Sequence, residues 1–172
     1  MKRSIFIISA FFALSLYSYS QNNSNLQAKA DSTDLKNMST NQYSTNEAWS
    51  NFINLLNDAN SEFAKGAIGE STRAVWSHGD DVTLFGGYGS LIEPGWKNVE
   101  ARLEFAAKQF SNGTYSSKEI KKNIDGNFAY LLQTEQYIFP GKPAINFRVT
   151  MICRLESDGW KIIHRHGDMM KE

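Results

Sequence analysis

An α+β fold is predicted by three features of the chain. Helical periodicities fill the first half of the candidate domain, period-two apolar patterns fill the second, and hairpin-type turn residues separate the segments of that second half. Helices that precede a run of antiparallel strands pack on one face of the resulting sheet. The folded domain is expected over residues 45–172, beginning at Thr45, a residue type suited to helix N-caps. Trp49, Phe52, Ile53, Leu56 and Ala59 then recur at helical spacing and form one apolar stripe, with Asn57, Asp58 and Asn60 marking the end. A second, short helix is expected from about Ser61 to Val75, weakened by Gly66 and Gly69. A strand over Asp81 to Phe85 stops at Gly86-Gly87-Tyr88-Gly89, which reads as a turn or bulge. A third helix runs from about Gly95 to Phe110, with Trp96, Val99, Leu103, Ala106 and Phe110 on one face and Lys97, Glu100, Glu104 and Lys108 on the other.

From there the pattern is that of a meander. Segments near 114–124, 127–139, 144–156 and 159–166 are joined by Asp125-Gly126, by Pro140-Gly141-Lys142-Pro143 and by Asp158-Gly159. In the last segment Trp160, Ile162, His164 and His166 fall on one face, because strand side chains alternate with a period of two. Two imidazoles beside an indole and an aliphatic side chain would suit a wet, half-apolar pocket.

The residues ahead of the domain carry an address. Lys2 and Arg3 precede the apolar run Ile5 to Leu16, and small or polar residues follow to Ser20, so 1–20 read as a secretory signal peptide. Residues 21–44 are rich in Asn, Ser, Gln, Thr and Lys and read as a flexible linker. The expected location is periplasmic or secreted. Loss of the signal leaves 16 basic residues against 18 acidic ones, a net charge of −2. That balance gives no reason to expect nucleic acid as a partner, nor a membrane beyond export itself. Cys153 is the single cysteine, which excludes an intramolecular disulfide and leaves core burial to hold the domain together. Aromatic residues, at 13%, supply large apolar surfaces for that task.

Three runs, VWSHGDDVTLFGGYG (Val75 to Gly89), GWKNVEARLEFAAKQF (Gly95 to Phe110) and FRVTMICRLESDGWKIIHRHGD (Phe147 to Asp168), together resemble the SnoaL-like branch of the nuclear transport factor 2-like superfamily, which includes ketosteroid isomerase-like proteins. The resemblance spans about Trp49 to Asp168. It implies a cone-shaped fold of about three helices on a strongly curved, mostly antiparallel sheet with an internal pocket, and a homodimer through the outer sheet face. The superfamily hosts isomerases, cyclases, dehydratases, hydrolases and binding domains, so fold alone does not fix a reaction.

The candidate catalytic residues are His164, His166 and Asp81, as proton-transfer groups. The competing reading for each is structural: imidazoles satisfied by backbone or carboxylate, and acids that shape the turn around Gly79. Candidate ligand-binding residues are Trp76, His78, Phe85, Trp96, Tyr137, Arg148, Thr150 and Trp160. The resemblance implies that the junction holding Trp76, His78 and Asp81 lies near the cavity mouth. Arg148, Thr150, Ile152 and Arg154 alternate on one face of their strand and Phe147, Val149, Met151, Cys153 and Leu155 on the other. An inward Arg148 would bind a carboxylate or enolate oxygen, whereas its structural reading is an ion pair with Glu135. Tyr137 shares a face with Glu135 and could donate to a ligand oxygen or simply pack in the sheet. Three or four convergent ligands are needed for a metal, and the His-x-His pair with His78 or Asp168 does not amount to that, so neither metal nor cofactor is expected. Gly86 to Gly89 lacks the Lys-Ser/Thr of a phosphate loop. Three functions fit: a small-organic-ligand binding domain, an isomerase-, cyclase- or dehydratase-type enzyme, and a non-catalytic interaction domain.

Overall fold

The computed structural model describes residues 45–86 and 92–171. The elements that follow lie in the compact unit Glu47–Glu172, except that the first helix begins at Thr45. The signal-peptide and linker expectations, and the turn at Gly87 to Gly89, lie outside the described residues.

Helix α1 extends to residue 64, and Thr45 is already helical, so Thr45 is not its cap. The predicted stripe is the buried one: Trp49, Phe52, Leu56 and Ala59 are each at most 5% exposed. Asn57, Asp58 and Asn60 do not end the helix, because Ala64, one turn further on, is fully buried and continues the same face. The break falls at Gly66, whose φ of +98° is open to glycine and strained for other residues. Helix α2 is therefore only Glu70–Val75, shorter than the sequence suggested. Strand β1 is Thr83–Phe85 and helix α3 is Trp96–Ala107.

Strands β2 (Thr114–Asp125), β3 (Phe128–Ile138), β4 (Ile145–Glu156) and β5 (Gly159–Met169) form the meander. The turns contain Gly126, Gly141 and, at the start of β5, Gly159, all with positive φ. The sheet order is β1-β5-β4-β3-β2, with β1 parallel to β5 and every other pair antiparallel. Two extra residues interrupt the ladders: Ile120 in β2 and Ile163 in β5. A bulge bends its strand and resets which side chains face which way.

The inner face of the sheet is the core. Leu131, Met151, Cys153 and Ile162 are at most 1% exposed and Val149 and Tyr137 at most 3%. On β4 the predicted division holds, with Phe147, Val149, Met151 and Cys153 inward and Arg148, Thr150, Ile152 and Arg154 outward. Trp160 meets Trp49 edge-on at 5.4 Å, tying α1 to the sheet.

Candidate functional site

The residue that decides the site is Ile163. Cys153 stands opposite Ile162, but Ile152 stands opposite His164, so Ile163 has no partner of its own on β4. Residues directly opposite in a ladder share a face. Trp160 and Ile162 therefore face inward with Leu155 and Cys153, as expected. Beyond the bulge the alternation inverts: Arg165 and Gly167 join Met151 and Val149 inside, whereas His164 and His166 join Ile152 and Thr150 outside. The expectation that both imidazoles share the face of Trp160 is overturned by this one-residue shift.

A cavity of about 90 Å³ lies between the helices and the inner face of the sheet. Helix α1 contributes Leu56, Ala59, Asn60 and Phe63; α2 contributes Thr72 and Val75; α3 contributes Arg102, Leu103 and Ala106. Trp76, Gly86 and Phe110 come from connecting segments, and Leu84, Tyr137, Phe147, Ile162 and Arg165 form the sheet side. Most of this wall is apolar.

The polar end is a network centred on Glu135, which is 1% exposed. Its carboxylate accepts from Arg165 Nη2 at 2.7 Å, from Gln133 Nε2 at 2.8 Å and from the Tyr137 hydroxyl at 3.1 Å. A buried carboxylate with three donors, one of them a guanidinium, is the arrangement in which a buried charge is tolerated. Burial, followed by the nearby Glu135 charge, pushes the Tyr137 hydroxyl well above its ordinary pKa, so it stays protonated and serves as a donor. The same two causes raise Tyr115, whose hydroxyl accepts from Gln133 at 3.3 Å. Burial opposes the Arg165 charge, but Glu135 more than offsets it and the guanidinium stays above its usual value. Tyr137 also lies 3.2 Å from Asn60 Oδ1. Two wall residues hold buried polar atoms without a hydrogen-bond partner: Asn60 Nδ2 and Thr72 Oγ1.

Of the residues singled out from sequence, Trp76 and Tyr137 line the cavity. Trp160 is buried in the core against Trp49 and is not part of the wall. His78 is exposed, 3.1 Å through Nε2 from the Arg73 carbonyl, with its ring stacked on Trp96 at 4.6 Å. Trp96 in turn lies 6.4 Å from Trp76, behind the wall. Asp81 pairs with Arg154 at 2.6 Å, and that hydrogen bond holds its carboxyl below the ordinary value. Neither Asp81 nor His78 is among the residues that line the cavity. Arg148 points outward, 3.9 Å from Asp168, and not toward Glu135, whose partner is Arg165.

The outer face collects the rest. Two rows cross it: Tyr130, Ile152, His164 and Thr83, then Leu132, Thr150, His166 and Phe85. Phe85 presents its ring edge-on to His164 at 5.2 Å and to His166 at 5.8 Å. His164 Nδ1 is 2.8 Å from Thr83 Oγ1, and His166 Nε2 is 3.3 Å from Asp168. Partial burial, and then the charge of His166, lower the His164 pKa from 6.5. Among the described residues no group of three or more potential ligands is placed to hold a metal ion.

Asn60, Thr72 and Arg165 are the site residues that periodicity alone missed. The signal for Arg165 was present: Ile162-Ile163 puts two large apolar residues side by side, where strict alternation allows one. Asn60 and Thr72 carried no local signal, because only the docking of α1 and α2 brings them to one wall.

The profile of a family described as "SnoaL-like domain" matches residues 53–172. No functionally curated protein matches the chain. Among solved structures, a domain with a cystatin-like fold from Nostoc punctiforme superposes with a TM-score of 0.58 at 16% identity, covering 75% of this chain and 79% of its own. A provisionally named ketosteroid isomerase from Parabacteroides distasonis gives 0.55 at 17% identity, covering 69% and 85%. A nuclear transport factor 2-like protein of unknown function from Shewanella oneidensis gives 0.55 at 12% identity, covering 72% and 98%. At these identities the likeness concerns the fold.

Proposed function

The chain belongs to the SnoaL-like branch of the nuclear transport factor 2-like superfamily, and from that premise we propose that it is an exported small-molecule-binding domain whose site is the cavity beneath α1, α2 and α3. The observation that carries this reading is the cavity itself, a mostly apolar space walled by three helices and the sheet, with Tyr137 and Arg165 of the Glu135 network at one end. Binding is favoured over proton-transfer catalysis by the placement of the titratable groups. No imidazole lines the cavity, and the carboxylate at its polar end is already engaged by Arg165, Gln133 and Tyr137. Export rests on the basic start and short apolar run of residues 1–20. The test is native mass spectrometry of the purified protein, followed by mild denaturation. Release of a small molecule supports the reading; a protein that comes pure and binds nothing from an extract of its source cells contradicts it.

A second part of the proposal concerns the outer sheet face. Phe85 and Ile152 are 44% and 40% exposed there, beside Tyr130 and Leu132. Apolar side chains gathered on one sheet face fit a self-complementary contact between two copies. Light scattering after gel filtration should give a dimer mass, and Ile152→Glu should shift it to a monomer with little change in melting temperature. A wild-type monomer at micromolar concentration would count against it.

A further inference from the structure

We propose that the cavity takes a short-chain carboxylate and that Arg165 is the residue that holds it; the proposal rests on the cavity being the ligand site. The anchor is identified by its open surface. A guanidinium carries five N–H donors. Glu135 accepts from Arg165 Nη2, and no other described residue accepts from this group. The described polar side-chain atoms that are both buried and unpartnered are Trp49 Nε1, Asn60 Nδ2, Glu62 Oε2, Thr72 Oγ1 and Trp160 Nε1, and neither Nε nor Nη1 of Arg165 is one of them. An N–H that has no partner and is not sealed off meets open space. The Arg165 side chain as a whole is 17% exposed. Its neighbours on the inner face are closed: Met151 directly opposite, Ile162, Tyr137 and Glu135 are each at most 2% exposed. Nη1 lies over Gly167, where a Cβ would come within 2.9 Å of it, and Gly167 faces inward opposite Val149. The open part of the guanidinium is therefore on the helix side of the sheet, where Arg165 forms part of the cavity wall.

Charge sets the ligand class. Arg102 and Arg165 both line the cavity, and among the described residues no acid does. Glu135 balances Arg165 from behind: its side chain is fully closed, so it meets the guanidinium and not the cavity. An ammonium ligand would meet two cations. A carboxylate gains a charge-assisted hydrogen bond, roughly twice as strong as a neutral one, and that bond offsets the loss of its hydration.

Size sets the chain length. An apolar cavity of about 150 Å³ takes benzene, with its six heavy atoms, so by the same proportion 90 Å³ accommodates about four. Acetate has that size, and Leu56, Phe63, Leu103 and Phe110 offer its methyl group an apolar surround.

Acetate and acetamide share shape and heavy-atom count and differ in charge, and xenon reports whether the cavity can be entered at all. Each is titrated into the purified protein at pH 7.5 and constant ionic strength, followed by the NMR methyl signals of Val75, Leu103 and Ile162. The acetate midpoint should lie at least tenfold below that of acetamide. Glu135→Gln frees the guanidinium from its counter-charge and should tighten acetate at least threefold. The double variant Arg165→Met, Glu135→Gln removes both charges and should bring acetate and acetamide within about threefold of each other; it also carries the test if Glu135→Gln alone does not fold. Acetamide matching acetate in the wild type would overturn the choice of a carboxylate. A tenfold preference retained in the double variant would overturn Arg165 as the anchor, as would weaker acetate binding by Glu135→Gln. If xenon moves the methyl signals and acetate does not, the cavity stands as a site and this proposal falls. If none of the three moves them, both fall.

Discussion

Replacing Arg165 with methionine keeps an unbranched, largely apolar stem and removes the charge from the inner face of the sheet. Glu135, whose side chain is fully buried, then loses its 2.7 Å partner and keeps only the hydrogen bonds from Gln133 and Tyr137. Removing one member of a buried ion pair costs about 3–5 kcal/mol, because the remaining charge is left uncompensated in a low-dielectric interior. The two surviving donors put this case at the lower end, about 3 kcal/mol. For a domain of this size each kcal/mol moves the melting temperature by about 4 °C, so the expected drop is about 12 °C. The double variant Arg165→Met, Glu135→Gln removes the stranded charge and keeps an amide that can still accept from Tyr137. It should recover at least half of the loss. Thermal and urea unfolding monitored by circular dichroism measure both. A single variant within about 1 kcal/mol of wild type, or a double variant no more stable than the single one, would refute the inward placement of Arg165.

Four further outcomes follow from the same structure. Gly66→Ala forces a left-handed φ of +98° and brings a Cβ within 2.5 Å of the Phe110 carbonyl oxygen, so urea melts should show a loss of about 1–3 kcal/mol. The His164 ring should titrate below 6.5 by NMR, and His166→Ala should raise that midpoint by removing the neighbouring charge, without disturbing the methyl signals of the cavity. Because folding favours the neutral His164 ring, its contribution to stability is complete above pH 6.5 and is lost as pH falls through the folded-state value; His164→Gln should flatten that slope. Burial pushes the Cys153 thiol up to about 12, so a thiol reagent at pH 8 should label it only in denaturant.

What could be read from the sequence was what is encoded locally. The stripe from Trp49 to Ala59 is a period within one helix, and the β4 alternation from Phe147 to Leu155 runs without interruption, so both faces were assigned correctly. The turns at Asp125-Gly126 and Asp158-Gly159 announce themselves by residue type. The short α2 was less legible, because the break at Gly66 depends on a close approach to Phe110 from a distant part of the chain. The candidate site was the least legible. Tyr137 and Trp76 were found, but His164 and His166 were assigned to the wrong side because one unpaired residue, Ile163, inverts everything after it. Arg165, placed between the two imidazoles in sequence, occupies the position intended for them. Phe85 and Thr150 were expected to meet a ligand alongside the histidines, and they do lie near them, but on the outer face.

The inversion at Ile163 is most directly tested by through-space proton NMR of the ring and methyl signals. Contacts from the His164 and His166 rings to Phe85, together with contacts from the Arg165 side chain to Tyr137, are the predicted result. Contacts from either imidazole to Tyr137 or to the methyls of Val75 would contradict it.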